Sequence, residues 1–317
     1  MSKDSELITN SLSSASAGLV SRLLTHPLDT AKARIQASTT TATHYKNTLD
    51  VLVRTTRNEG FLGLYRGFGA VVIGGTPGTI AYLAGYDFFK MKLSQAQHNI
   101  SIPESAVHFC SGMLAETVAC IIYVPVDVVK ERLQVQHSIQ GESLRTITTT
   151  HYSGSMDALK RILKTEGLKG IYKGYVATLA SFGPFSALYF VFYEKMKSLM
   201  PKTSMDPMSL HQTLFCSSAA GAGAAWITSP LDMAKLRLQV QRGNNANMVS
   251  SSSSSSQLHS LQYKGMMDCL RHIYEEKGIQ GLFRGAGARV AHFVPATTVT
   301  MTCYEEFRTF YSSAFQR

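Results

Sequence analysis

Three segments carry an acid, a lysine, an arginine and a glutamine at one fixed spacing: PLDTAKARIQ from Pro27, PVDVVKERLQ from Pro125 and PLDMAKLRLQ from Pro230. Each reads Pro-x-Asp-x-x-Lys-x-Arg-x-Gln. On a helix, an Asp and the Lys three residues on share a face. The proline beside them removes a backbone hydrogen bond and kinks the chain. Such charges can form ion pairs whose net worth is small, because desolvation offsets attraction. The chemistry on offer is therefore a reversible ionic latch. Covalent catalysis needs other signals: there is no Gly-x-Ser-x-Gly and no His-x-x-x-His, and GGTPGT at Gly74 lacks the Gly-Lys-Ser/Thr end of a phosphate loop. The chain is read as a non-enzyme without cofactor or resident metal.

Further blocks follow in step. HYKNTLDVL, HYSGSMDAL and QYKGMMDCL surround Tyr45, Tyr152 and Tyr263; EGFLGLYRG, EGLKGIYKG and KGIQGLFRG start at Glu59, Glu166 and Lys277; YDFFK, YEKMK and YEEFR start at Tyr86, Tyr193 and Tyr304. From the second block to the last, every landmark keeps one offset between successive copies, so the repeat is not chance. Extra residues collect between the first and second blocks, at Gly141 to Thr150 and at 243–260 with its serine run. They read as exposed loops on one face.

The elements that position these residues follow from composition. The 317-residue chain is 44% apolar and only 16% charged, with a net charge of +10. That is too little charge for an ordinary soluble domain and too much apolar content for disorder. Gly67 to Tyr86, Gly174 to Tyr193 and Pro207 to Leu231 contain no Asp, Glu, Lys or Arg, and each is long enough to cross a bilayer. The basic balance alone would invite nucleic acid, but many of the basic residues belong to the repeated motifs, so no nucleic-acid partner is expected. Five cysteines, without Cys-x-x-Cys, read as reduced packing residues. MSKDSE is neither a secretory signal nor an Arg-rich transit peptide. Each copy reads as a proline-kinked helix, a loop, a short amphipathic helix (Asn47–Arg57, Gly154–Leu163, Gly265–Tyr274), a turn and a second long helix. The expectation is an all-α membrane protein. Six transmembrane helices in three tandem repeats, with three short surface helices, form a pseudo-three-fold barrel around a central cavity. Boundaries fall at a tail 1–10 and repeats 11–95, 103–199 and 207–313, forming one transport domain.

These motifs, in triplicate from about Leu12 to Tyr311, resemble the mitochondrial carrier family; Lys277, where the other copies have Glu59 and Glu166, is the one motif departure. The resemblance implies a multi-pass monomer of the mitochondrial inner membrane that moves a small molecule by alternating access. It implies a matrix gate of Asp29–Lys130, Asp127–Lys235 and Asp232–Lys32 braced by Gln36, Gln134 and Gln239. It also implies a cytoplasmic gate of Asp87–Lys197, Glu194–Arg308 and Glu305–Lys90 braced by Tyr86, Tyr193 and Tyr304. Arg66–Gly67, Lys173–Gly174 and Arg284–Gly285 match the family's cardiolipin sites at helix N-termini.

Substrate contacts of the family map to Gly74, Ser181 with Phe182, and His292, with Gly78 and Tyr82 on the same face. Residues that break the three-fold pattern add Arg22 (against Cys120 and Ala225), Glu116 (against Gly18 and Gly221) and Arg289 (against Val71 and Thr178). AETVACIIYVPVDVVKERLQVQ resembles the S-adenosylmethionine carriers, and ARVAHFVPATTVTMTCYE the mitoferrins and branched-chain amino acid carriers. The implied substrate is an amino acid or an amino-acid-derived cofactor such as S-adenosylmethionine. The alternatives are iron of the mitoferrin type and an interaction protein without transport.

Overall fold

The computed structural model describes residues 3–38, 45–97, 103–136, 152–200, 209–241 and 263–315, and every regular element among them is helical. The Ser-rich loop and Gly141 to Thr150 lie outside them. The first repeat comprises α1 (Lys3–Ala37), α2 (Thr48–Glu59), a 3-10 turn (Phe61–Tyr65) and α3 (Phe68–Gln97). The second comprises α4 (Glu104–Val135), α5 (Ser155–Ile171) and α6 (Tyr175–Leu199). The third comprises α7 (Leu210–Ile227), α8 (Ser229–Val240), α9 (Met266–Leu282) and α10 (Ala286–Phe315).

Two boundaries depart from the sequence reading. Helix α1 starts at Lys3, inside the stretch read as a tail. Pro27 and Pro125 lie in the interior of α1 and α4, whereas Pro230 stands at the start of α8. With the first long helix of each repeat (α1, α4, and α7 with α8) called odd and the second (α3, α6, α10) even, the third odd helix breaks at Thr228 (φ −86°, ψ 7°), whose hydroxyl turns back to the Ala224 carbonyl at 2.7 Å. Pro230 then sits in the first turn of α8, where its missing N–H costs nothing.

The surface helices α2, α5 and α9 begin alike in all three copies. The side chains of Asp50, Asp157 and Asp268 accept the backbone N–H of Lys46, Ser153 and Lys264 at 3.0, 3.0 and 2.8 Å. Each helix then buries an apolar stripe against its odd helix: Val51 on Ala31 and Ile35, Ala158 and Ile162 on Val128 and Leu133, Cys269 and Ile273 on Met233 and Ala234.

The long helices form a closed ring in which α3 lies on α4, α6 on α7 and α8, and α10 on α1. The second long helix of each copy therefore flanks the first of the next. Helices α1, α4 and α8 also meet one another, where Ala33, Ala37, Val135 and Leu236 form a buried cluster. The odd helices thus converge at their Pro-x-Asp end. By length and hydropathy, Phe61–Gln95, Ala106–Val135 and Tyr175–Leu199 contain candidate membrane spans.

Candidate functional site

At the convergence, three lysines meet three aspartates across helix boundaries. Lys130 Nζ lies 2.6 Å from Asp29 Oδ2, Lys235 Nζ 2.8 Å from Asp127 Oδ2, and Lys32 Nζ 2.8 Å from Asp232 Oδ2. The six side chains are 11 to 27% exposed, with Lys235–Asp127 the most open pair. Each lysine reaches the aspartate of the preceding repeat, so one rotation generates all three contacts. The glutamines follow less regularly. Gln134 Nε2 donates to Asp29 Oδ2 at 3.1 Å and Gln36 Nε2 to Asp232 Oδ2 at 3.2 Å. Gln239 braces nothing: both its amide atoms are buried without a partner among the described residues.

The motif arginines form a second ring that the sequence reading did not assign. Arg34, Arg132 and Arg237 donate through Nε to the carbonyls of Gln134, Gln239 and Gln36 at 2.9, 3.1 and 3.2 Å. Their other ends differ. Arg34 grips Glu59 at 2.5 and 3.0 Å, and Arg132 grips Glu166 at 2.5 and 2.9 Å. At the third corner, Lys277 replaces the glutamate. Partial burial, followed by the cations of Arg284 and Arg237, holds the Lys277 amine below the usual lysine range. Lys277→Glu should therefore stabilise the detergent-solubilised protein. A bidentate carboxylate on a buried guanidinium is worth about 1–3 kcal/mol, so thermal unfolding should shift upward by several degrees.

The ring also holds residues that break the three-fold pattern. Glu131, where the other copies have Ala33 and Leu236, is buried and puts Oε1 3.3 Å from Lys130. Lys130 thus serves two carboxylates. The sequence carries the signal as an asymmetry inside the motif. Arg289, expected to face substrate, is committed to the ring. Its Nε lies 3.4 Å from Asp232, its Nη1 donates to Ala225 O and Thr228 Oγ1, and its guanidinium covers the Phe185 ring. His292 is 3.9 Å from Asp29.

Above the ring, Arg22 on α1 and Glu116 on α4 remain. Neither makes an ion pair among the described residues, and Glu116 accepts only the Cys120 thiol, at 3.5 Å. The Tyr123 hydroxyl, on α4, lies 3.0 Å from Thr79 Oγ1 and within electrostatic reach of Arg22 and Glu116. Tyr123 replaces Thr25 and Thr228 of the other copies, a difference the sequence reading passed over. Gly74 and Gly78 are instead consumed by contact with α4. A Cβ there would fall 2.0 Å from Val126 Cγ2 and 2.3 Å from Tyr123 Cε1, while one on Gly75 would fall 1.8 Å from Arg22 Nη1. Glycine at 75 thus admits the guanidinium. Phe182 meets Tyr82 edge-on at 6.4 Å, and the Ser181 hydroxyl is buried with no partner among the described residues.

At the opposite end, Asp87, Glu194, Lys197, Glu305 and Arg308 are exposed and Lys90 is half-buried; no ion pair joins any two of them. One end is latched and the other is not.

A family model described as mitochondrial carrier protein matches residues 3–97, 103–204 and 206–315. The chain belongs to the mitochondrial carrier family. It is a multi-pass transporter of the mitochondrial inner membrane, and members of this family are transporters rather than enzymes. The mitochondrial substrate carrier family protein E of Dictyostelium discoideum is 34% identical over 94% of both chains. The mitochondrial S-adenosylmethionine carrier protein of Xenopus tropicalis is 28% identical over 96% of both. The mitochondrial aspartate-glutamate transporter AGC1 of Saccharomyces cerevisiae is 31% identical over 94% of this chain, which spans only 31% of that larger protein.

Beside the Arg284 corner of this carrier, a cavity of about 530 Å³ is lined by Lys46, Asn47, Thr48, Lys277, Arg284 and Gly285, among others. Arg284 donates to Ser38 at 2.9 Å, and Arg66 Nε lies 3.1 Å from Glu59. Gly67, Gly174 and Gly285 turn the chain with φ of 82°, 83° and 85°, a region only glycine enters freely. At Gly67 any Cβ would also sit 2.9 Å from the Lys130 carbonyl.

Proposed function

We propose that this carrier moves a small zwitterionic metabolite, an amino acid or an amino-acid-derived cofactor such as S-adenosylmethionine, between two gates that open in turn. In this reading the Lys–Asp ring is the closed matrix gate, the exposed charges around Tyr86, Tyr193 and Tyr304 are the open cytoplasmic gate, and the hollow between them receives substrate from the cytoplasm. The observation that carries the substrate class is the pair Arg22 and Glu116. They are opposite charges from two repeats, placed where symmetry elsewhere keeps small residues, and neither is spent on an ion pair among the described residues.

A substrate carboxylate would take Arg22, with Tyr123 and Thr79 as flanking hydroxyls. A substrate ammonium would take Glu116. The Tyr82–Phe182 edge offers a face to an adenine or an apolar side chain. Three carrier relatives whose names bear S-adenosylmethionine, aspartate-glutamate or only a generic substrate do not share one cargo, so the site chemistry decides. Iron is the weaker reading: among the described residues no three His, Cys, Asp or Glu side chains converge to hold a metal, and His292 faces the ring. The cavity beside Arg284, with Arg66 and Lys173 at the equivalent positions of the other copies, supports a cardiolipin head group, and the closed ring within one chain supports a monomer.

The test is a thermal-shift panel on detergent-purified protein. A ligand that binds only the folded state at about 100 times its Kd stabilises by about 2.7 kcal/mol. Zwitterions should raise the melting temperature, whereas simple dicarboxylates, nucleotides and ferrous iron should not. A shift with iron or nucleotides alone would reject the reading.

A further inference from the structure

The brace tyrosines are not idle in this state. Tyr86 Oη lies 2.6 Å from His108 Nδ1, and the two rings stack at 6.3 Å. Tyr304 Oη lies 3.3 Å from Asn10 Oδ1. These contacts are the same contact. Asn10, His108 and Thr213 stand equally far ahead of Pro27, Pro125 and Pro230, and Tyr86, Tyr193 and Tyr304 are equivalent in their copies. Each bond joins the outer end of an even helix to the odd helix of the next repeat, α3 to α4 and α10 to α1. The third interface differs: the Thr213 hydroxyl is turned to the Ser209 carbonyl at 3.2 Å and makes no hydrogen bond to Tyr193, whose stack on Tyr189 matches that of Tyr86 on Tyr82.

We propose that His108 and Asn10 are positioning residues that hold two of the three brace tyrosines out of the cytoplasmic ring while that end is open, and that the α6–α7 interface has no such hold. The proposal rests on the reading of these tyrosines as braces. The 2.6 Å bond and the ring stack fix where the Tyr86 hydroxyl points, so Tyr86 cannot stay on His108 and reach into a closed ring at once. Closure must first break this bond and unstack the rings. Tyr82, stacked on Tyr86 at 6.4 Å and edge-on to Phe182, links that release to the hollow where substrate is read. With its tyrosine unheld, the α6–α7 end is the one that swings inward first.

The experiment measures closure without any substrate. Spin labels at Ser94→Cys and Ser198→Cys, on the exposed outer ends of α3 and α6, report distance by pulsed electron paramagnetic resonance. Cys110 and Cys303 are replaced by Ala, and Asp127→Asn, whose amide oxygen can still accept from Lys235 and so only weakens the latch, is added so that both states are populated. His108→Ala and Asn10→Ala should each raise the ratio of short to long distances about three- to tenfold, the worth of one hydrogen bond. His108→Asn, which installs the residue α1 uses, should return the ratio to within about twofold of the parent. Thr213→Asn should lower it by adding the missing hold. Lys197→Ala is the control for the ring itself and should lower the ratio. Unchanged ratios in His108→Ala and Asn10→Ala while Lys197→Ala still acts would overturn the hold and leave the ring standing. An inert Lys197→Ala would remove the ring reading, and the hold with it.

Discussion

Asp127→Ala should cut uptake into proteoliposomes more than about 100-fold, and exchanging the two charges, Asp127→Lys with Lys235→Asp, should recover most of it. The pair is the cleanest of the three, since Asp127 and Lys235 meet at 2.8 Å and no glutamine or extra cation shares the aspartate. Removing one partner leaves a charge in a poorly hydrated site, which costs about 3–5 kcal/mol. That penalty falls on the latched state alone, because the opened ring meets water. At about 1.4 kcal/mol per tenfold, the gate would spend nearly all its time unlatched and the cycle would stall. Exchange restores attraction in the same place. Asp29→Ala should be milder, since Glu131 remains 3.3 Å from Lys130 to keep that ammonium paired. Equal damage from Asp127→Ala and Asp29→Ala would mean that Glu131 does not share the load, and an undiminished rate in Asp127→Ala would remove the latch altogether.

Arg22→Ala and Glu116→Gln should each abolish measurable uptake of the ligand identified by thermal shift, with little change in the melting temperature of the empty protein. A charge-assisted hydrogen bond to a bound ion is worth about 1.5–3 kcal/mol, or about 10- to 150-fold in affinity. Neither residue holds an ion pair among the described residues, so truncation strands no charged partner there. Arg22→Lys should recover only part of the function, because an ammonium on a flexible stem cannot reproduce a planar fork. Arg289→Ala separates the two roles. Its guanidinium lies 3.4 Å from Asp232, so its loss should weaken the latch and lower the melting temperature while leaving ligand affinity within about threefold. If Arg289→Ala instead lost binding and Arg22→Ala kept it, the assignment of the carboxylate contact would be reversed.

Much of this was readable from the chain because the repeat supplies its own control. A three-fold pattern of Pro, Asp, Lys and Gln fixes which side chains are equivalent, and closing a ring of six helices then leaves one pairing of neighbours. The short helices were legible for a local reason, the amphipathic pattern of the second block. What stayed hidden depended on packing. Gly74 and Gly78 sit where a contact is expected, yet Val126 and Tyr123 take the space their missing side chains leave. Arg289 looked like a free cation because sequence offers no distance to Asp232. Gln239 has the same spacing as Gln36 and Gln134 but makes neither of their bonds. The break at Thr228 depends on a side-chain hydroxyl reaching back to a carbonyl, and nothing in Thr-Ser-Pro announces that. Glu131, Tyr123 and the Asn10–His108–Thr213 series were visible as departures from symmetry. Their meaning needed the helix facing them.

Alternation of access is the claim on which the rest depends, and a reversible staple at the latched end tests it most directly. Ala33 and Val135 pack together in the buried cluster where α1 and α4 converge. With Ala33→Cys and Val135→Cys in a background lacking Cys110 and Cys303, oxidation should stop uptake while the thermal shift with ligand persists, and reductant should restore transport. Full-rate uptake by the oxidised, stapled protein would show that this end never has to open.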